Sequence, residues 1–224
     1  MTAINSYIEA GAVVVLADTL MTDENGTPAA FVSKVFPVPH LSALVSGRGT
    51  ITLIAGWAFE LCHTTVAYDF DMAVEQAPAA LNARWAALEG QRTETTTVYM
   101  WGWSAADERF VGYSFRSWAG FVAEPLGDGT SYAPGLNDAA RKEEIHSDPD
   151  RITAMTRMMI AAKGENDALP VDEADRCNIG GEIVMFTLTR PESEVLTFSQ
   201  VLHRFPDRDA QYLQAVQLLN GEVA

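Results

Sequence analysis

Thr2, Asp18 and Lys34 are the residues whose types and spacing could do chemistry together: each follows the last by sixteen positions, and Thr2 lies directly behind Met1. A threonine hydroxyl is a weak nucleophile at neutral pH and needs a base within hydrogen-bond reach. Removal of Met1 would give Thr2 a free α-amine, whose pKa of about 8 leaves much of it neutral and able to take a proton. Nucleophile and base would then belong to one residue. A lysine beside them would lower the cost of forming the alkoxide and favour the neutral amine, and an aspartate would fix and balance that lysine. If Met1 stays, the amine becomes an amide nitrogen and the base is lost. Processing is therefore part of the chemistry, and a small second residue such as Thr generally permits it.

The elements that must position these residues are legible in the apolar pattern. Thr2–Ile8 and Ala12–Ala17 are apolar or β-branched runs separated by Glu9-Ala10-Gly11, which predicts a hairpin. Asp23–Pro28 is dense in turn formers, and Ala30–Val38 reads as a strand carrying Lys34. His40–Val45 is the next expected strand, running into Ser46-Gly47-Arg48-Gly49-Thr50, where sheet gives way to helix. Two helices are expected over Thr50–Val66 and Asp69–Leu88, the second kinked or broken at Pro78. From Glu94 to Glu124 the period is near two and predicts short strands. Asp148 is the expected cap of a helix with Pro149 at its first position, carrying Met155, Met158 and Met159 to Lys163-Gly164. Strands over Gly181–Thr189 and Val195–Leu202 and a helix over Asp207–Leu219 complete the chain. Layers of strand and helix in this order suit an α+β sandwich forming a single domain over residues 1–224.

The segments T-A-I-N-S-Y-I, G-A-V-V-V-L-A-D and S-K-V-F-P-V, which carry Thr2, Asp18 and Lys34, resemble the amino-terminal strands of the proteasome-type branch of the N-terminal nucleophile (Ntn) hydrolases. In that family a threonine at the mature amino terminus is paired with an aspartate and a lysine at the same separations. The resemblance implies a four-layer αββα sandwich, with two antiparallel sheets between helical layers. It is similar again in A-D-R-C-N-I-G-G-E-I-V-M-F-T-L-T, where Asp175 falls on a family aspartate. Asn178 stands at the family's serine position, and Ile179 intrudes before Gly180-Gly181. An asparagine there can still donate and accept hydrogen bonds near the terminal amine. The family's Gly-Ser-Gly turn has no counterpart; the nearest stretch is Ala133-Pro134-Gly135-Leu136-Asn137-Asp138. The oxyanion donor that the family takes from a glycine N–H falls on Gly47, with Gly49 as runner-up.

What the resemblance implies is a threonine-type peptidase or amidohydrolase working through an acyl-enzyme. Its substrate would be a peptide or a small amide, and it would need no cofactor and no metal. By analogy it would be a homo-oligomer, with a ring as one form. The chief alternative is a non-catalytic protein of the same fold serving as a structural or assembly subunit, for instance in a larger bacterial or phage complex. A third reading is a non-peptidase amidohydrolase with an open site in a single subunit.

Composition narrows the remaining classes. A formal charge of −15 argues against nucleic acid or an anionic membrane as partner. No apolar stretch reaches the length of a membrane span, and the start carries no targeting pattern. Two cysteines without a CxxC pair suit reduced thiols, so a cytoplasmic location is expected. Cys62-His63 lacks further ligands at metal spacing, and Cys177 reads as a packed thiol near the site wall. The methionine stripe reads as core, and Trp101 and Trp103 share one strand face, in core or at an interface. Glu143 and Glu144 read as solvated charges, and His40, His146 and His203 have no evident partner.

Overall fold

The apolar runs at the start of the chain form the expected hairpin, β1 (Ile4–Glu9) and β2 (Ala12–Asp18), with Ile4 opposite Ala17. The computed structural model describes residues 2–23, 25–90, 95–170, 176–190 and 194–221, so Met1 and Asp175 lie outside the described residues. After β2 come β3 (Leu20–Thr22) and β4 (Pro28–Phe31), then β5 (Val35–Val38), a 3-10 turn over Pro39–Leu41 and β6 (Ala43–Arg48). The helices α1 (Ile51–His63) and α2 (Phe70–Ala87) follow, then β7 (Thr97–Ser104), β8 (Arg109–Arg116), β9 (Ala123–Leu126) and β10 (Gly129–Ala133). The chain continues through α3 (Ala139–His146), α4 (Arg151–Asp167), β11 (Glu182–Thr189), β12 (Leu196–Arg204) and α5 (Arg208–Leu219).

The main strands form two five-stranded antiparallel sheets, ordered β10-β1-β2-β11-β12 and β5-β6-β7-β8-β9, and β3 and β4 form a separate two-stranded ribbon. Three apolar cores define how the layers stack. Ile4, Ile8, Val13, Val15, Leu44, Trp101 and Phe110 meet between the two sheets. Leu53, Trp57, Phe70 and Leu81 of α1 and α2 cover the outer face of the second sheet beside Val45, Val98 and Met100. Met155, Met158 and Met159 of α4 cover the outer face of the first, against Val14, Leu16 and Met185. The chain is thus a mixed α+β protein built on antiparallel sheets. In β2 successive residues face opposite cores, so the strand is buried on both sides and reads as the unbroken run Val13-Val14-Val15-Leu16-Ala17. Among the described residues no helix is long and apolar enough to cross a membrane.

Several expectations are corrected. The strand foreseen over Ala30–Val38 is broken between Phe31 and Val35, and Lys34 lies in the irregular link, because Val32 N–H closes the ribbon onto the Thr19 carbonyl at 2.9 Å. The strand foreseen over His40–Val45 begins only at Ala43, after the 3-10 turn. Pro78 does not break α2, which runs through it to Ala87. The cap of α4 is Asp150 rather than Asp148: its carboxylate accepts from Ile152 N–H at 3.1 Å and from the Thr153 hydroxyl at 2.6 Å. The helix then passes Gly164 and continues to Asp167, which lets the Asn166 amide oxygen accept from Cys177 N–H at 2.7 Å. The strand β10 and the helix α3 have no counterpart in the sequence reading.

Candidate functional site

The β1–β2 register brings the start of one strand to the end of the other, and this decides what lies beside Thr2. Ala3 N–H donates to Asp18 Oδ1 at 3.0 Å, and Asp18 N–H donates back to the Ala3 carbonyl at 3.4 Å. The half-buried Thr2 is therefore covalently tied to a residue clamped on Asp18. The ribbon of β3 and β4 leaves the sheet after Asp18 and returns at Val32, so that Lys34 meets the same carboxylate from the other side, Nζ to Oδ1 at 2.8 Å. Asp18 is wholly buried and the Lys34 side chain is 5% exposed.

A buried ion pair loses several kcal/mol of hydration per ion and is tolerated when further hydrogen bonds satisfy it. Here Asp18 Oδ2 accepts from Gly180 N–H at 3.2 Å, so the carboxylate takes two backbone donors besides the ammonium. Gly180 packs closely: an added Cβ would stand 2.7 Å from the end of the Gln211 side chain and 2.8 Å from Leu20 Cδ2, so both would have to shift. The Lys34 carbonyl accepts from the Ser46 hydroxyl at 2.6 Å, which ties β6 to the base of the lysine. Ala3, Ser46 and Gly180 are the members of this network that side-chain motifs did not reveal. Only the Gly180-Gly181 pair left a trace in the sequence.

Gly47 follows Ser46 on β6 and is buried opposite Val98. A Cβ there would stand 2.5 Å from the Thr97 carbonyl oxygen and 2.7 Å from Ile54 Cδ1. Gly49 has φ +101 and packs against the Thr95 backbone and Thr96. Because the obstacle at Gly47 is partly backbone, Gly47→Ala should destabilise the protein by about 1–3 kcal/mol, the usual cost of overpacking. Thermal unfolding checks this: the midpoint should drop by several degrees, and an unchanged midpoint would show that the strand yields freely.

Asn178, expected to serve the terminal amine, has its amide hydrogen-bonded to Thr22 and Arg176. Its Nδ2 donates to Thr22 Oγ1 at 3.4 Å and its Oδ1 accepts from Arg176 Nε at 3.1 Å, beside Gly26. The neighbouring Ile179 is buried in the core under α4, and adjacent residues of an extended segment face opposite ways, so Asn178 turns outward to the ribbon. Asp175 lies outside the described residues. Cys177 is fully buried. Burial raises its thiol pKa, the Asp18 charge raises it further, and the cations of Arg48 and Lys34 oppose the shift. A raised thiol pKa means little thiolate at neutral pH. Iodoacetamide should therefore leave Cys177 unmodified in the folded protein while modifying it after denaturation, as read by peptide mass mapping; labelling of the native thiol would contradict its burial.

Asp18 and Lys34 also line a cleft of about 300 Å³, whose other walls include Phe31, Val184, Phe186 and Arg208. Glu182 sits at this cleft and pairs with Arg204 at 2.8 Å and Arg208 at 3.2 Å. Among the described residues no group of three or more His, Cys, Asp or Glu is arranged to hold a metal ion. The cleft thus joins an apolar wall to a buried ion pair whose carboxylate holds the N–H of Ala3, the residue after Thr2; Thr2 and Gly47 are not among its lining residues. No known protein-family model matches the chain, and a search of curated proteins finds no match either.

Proposed function

We propose that the chain is an N-terminal threonine amidohydrolase of the Ntn type, with Thr2 as nucleophile once Met1 is removed. The observation that carries this reading is the Asp18 carboxylate, which holds Lys34 Nζ and Ala3 N–H on one oxygen. Two of the three equally spaced residues, Asp18 and Lys34, pair with each other, and their carboxylate also holds the residue that follows Thr2, which supports the reading. Two sheets between helical layers agree with a four-layer Ntn sandwich.

In this reading the free amine of Thr2 takes the proton from its own Oγ as the oxygen attacks an amide carbonyl carbon. The amine then passes the proton to the leaving nitrogen, and an ester of Thr2 remains. Water activated by the same amine hydrolyses the ester. The Lys34 ammonium, held by Asp18, stabilises negative charge as it develops on Oγ, and the Gly47 N–H, with Gly49 as runner-up, is the proposed donor to the oxyanion. The cleft beside the pair would take a peptide or a small amide. A cytoplasmic homo-oligomer is the proposed setting.

Asn178 favours the second reading, a non-catalytic subunit of the same fold, because both ends of its amide are already engaged, by Thr22 and Arg176. The two readings separate by turnover. Protein verified to lack Met1 should hydrolyse members of a fluorogenic panel of peptide and small acyl amides. No turnover of any member above the Thr2→Ala background would favour the assembly role.

A further inference from the structure

We propose that the outer edge of β12 pairs with the same edge of a second copy of this chain, joining the β1-containing sheets of two subunits across a two-fold axis. β12 is the terminal strand of its sheet, bonded to β11 along one side from Thr189–Leu196 to Glu182–Arg204, and among the described residues no strand covers its other side. An uncovered edge is a row of unpaired N–H and C=O groups, and monomeric proteins blunt such edges with short strands, proline or charge. The other edges here follow that rule. β5 has four residues and contains Pro37, β9 has four and contains Pro125, and β10 has five.

Over Leu196–Val201, β12 has none of these protections. It has nine residues with neither proline nor lysine, and its single bulge lies near the far end, at Leu202. Leu196, Phe198 and Val201 are 50%, 49% and 43% exposed, and the strand is open to solvent on both faces from Leu196 to Val201. Phe198 and Leu196 stand opposite Thr187 and Thr189, on one face of the sheet. An antiparallel pair of β12 strands would set these side chains from both copies next to each other and remove them from water.

Charge leaves this edge as a place where a second copy can dock. At a net −15, two copies repel over most of their surfaces. Residues 195–206, V-L-T-F-S-Q-V-L-H-R-F-P, contain no Asp or Glu, so this edge is a place where copies meet without opposing carboxylates. Identical antiparallel edges form an isologous contact that closes as a dimer. The inference is independent of whether Thr2 is catalytic.

The test is the solution mass of the full chain by light scattering across a dilution series, for the unaltered protein, Phe198→Lys and, as a control off the edge, Tyr212→Lys. The expected mass is twice 24.4 kDa or another even multiple. Phe198→Lys should weaken the association at least about tenfold, because it puts like charges side by side at the edge, whereas Tyr212→Lys should leave it unchanged. Far-UV circular dichroism must match among the three, which the exposure of both side chains permits. A monomer at every concentration, an odd multiple, or an association that Phe198→Lys does not weaken would overturn the proposal.

Discussion

Thr2→Ala should reduce amide hydrolysis by at least about 10³-fold, the scale of loss when a covalent nucleophile is removed, while leaving the thermal midpoint nearly unchanged. The two effects separate because Thr2 is half-buried and precedes the first strand, whereas the pins that fasten this end of the chain run from the Ala3 backbone to Asp18. Thr2→Ser keeps both hydroxyl and amine, so it should retain measurable turnover in the same assay. A variant whose Met1 cannot be removed, made by placing a bulky residue before the threonine, should be as inactive as Thr2→Ala despite an intact hydroxyl. That comparison separates the amine's role as base from the oxygen's role as nucleophile. Equal turnover in Thr2→Ala and the unaltered protein would remove Thr2 from the chemistry.

The second large effect is at the buried pair. Asp18→Asn leaves the Lys34 ammonium, 5% exposed, with no counter-charge. Breaking such a pair from one side costs about 3–5 kcal/mol. Lys34→Met strands the carboxylate instead, but Asp18 keeps the Ala3 and Gly180 N–H donors, so this variant should be the milder of the two. The double variant D18N/K34M removes both charges and should be more stable than D18N alone. Denaturant unfolding gives the cycle directly. Turnover should behave differently: it should fall about 10²-fold or more in both single variants, since one loses the cation and the other the carboxylate that positions it, and stay low in the double, where no cation remains to stabilise the alkoxide. Activity that recovers with stability would make the pair a purely structural staple.

The elements legible in the sequence are those whose burial leaves a pattern. β2 is covered on both faces and reads as an apolar run, and the strands from Thr97 to Arg116 alternate because one side meets the other sheet and the other meets helices. β10 went unread because Gly-Thr-Ser-Tyr-Ala has little apolar alternation, and α3 because only Ile145 of Ala-Ala-Arg-Lys-Glu-Glu-Ile-His is buried. Neither carries a periodic signal. Lys34 was expected inside a strand because Val32, Val35 and Val38 favour one; a closure between Thr19 and Val32 overrides that local preference.

The site divides in the same way. Asp18 and Lys34 could be read from type and spacing, since charged residues at the ends of apolar runs stand out. The donors from Ala3 and Gly180 are backbone groups, which every residue but proline carries, so nothing in their identity announces them. The partners of Asn178 are not legible in the sequence, because they depend on how the segment around Ile179 is buried. That isoleucine takes the buried side of the segment and turns its neighbour toward Thr22.

The account's central claim is that Thr2, freed of Met1, is a live nucleophile, and intact-mass spectrometry before and after treatment with a β-lactone or epoxyketone tests it most directly. The account predicts a chain lighter by one methionine that gains a single adduct, with no adduct on Thr2→Ala. A chain that retains Met1 and gains nothing, or an adduct that survives the Thr2→Ala substitution, would contradict it.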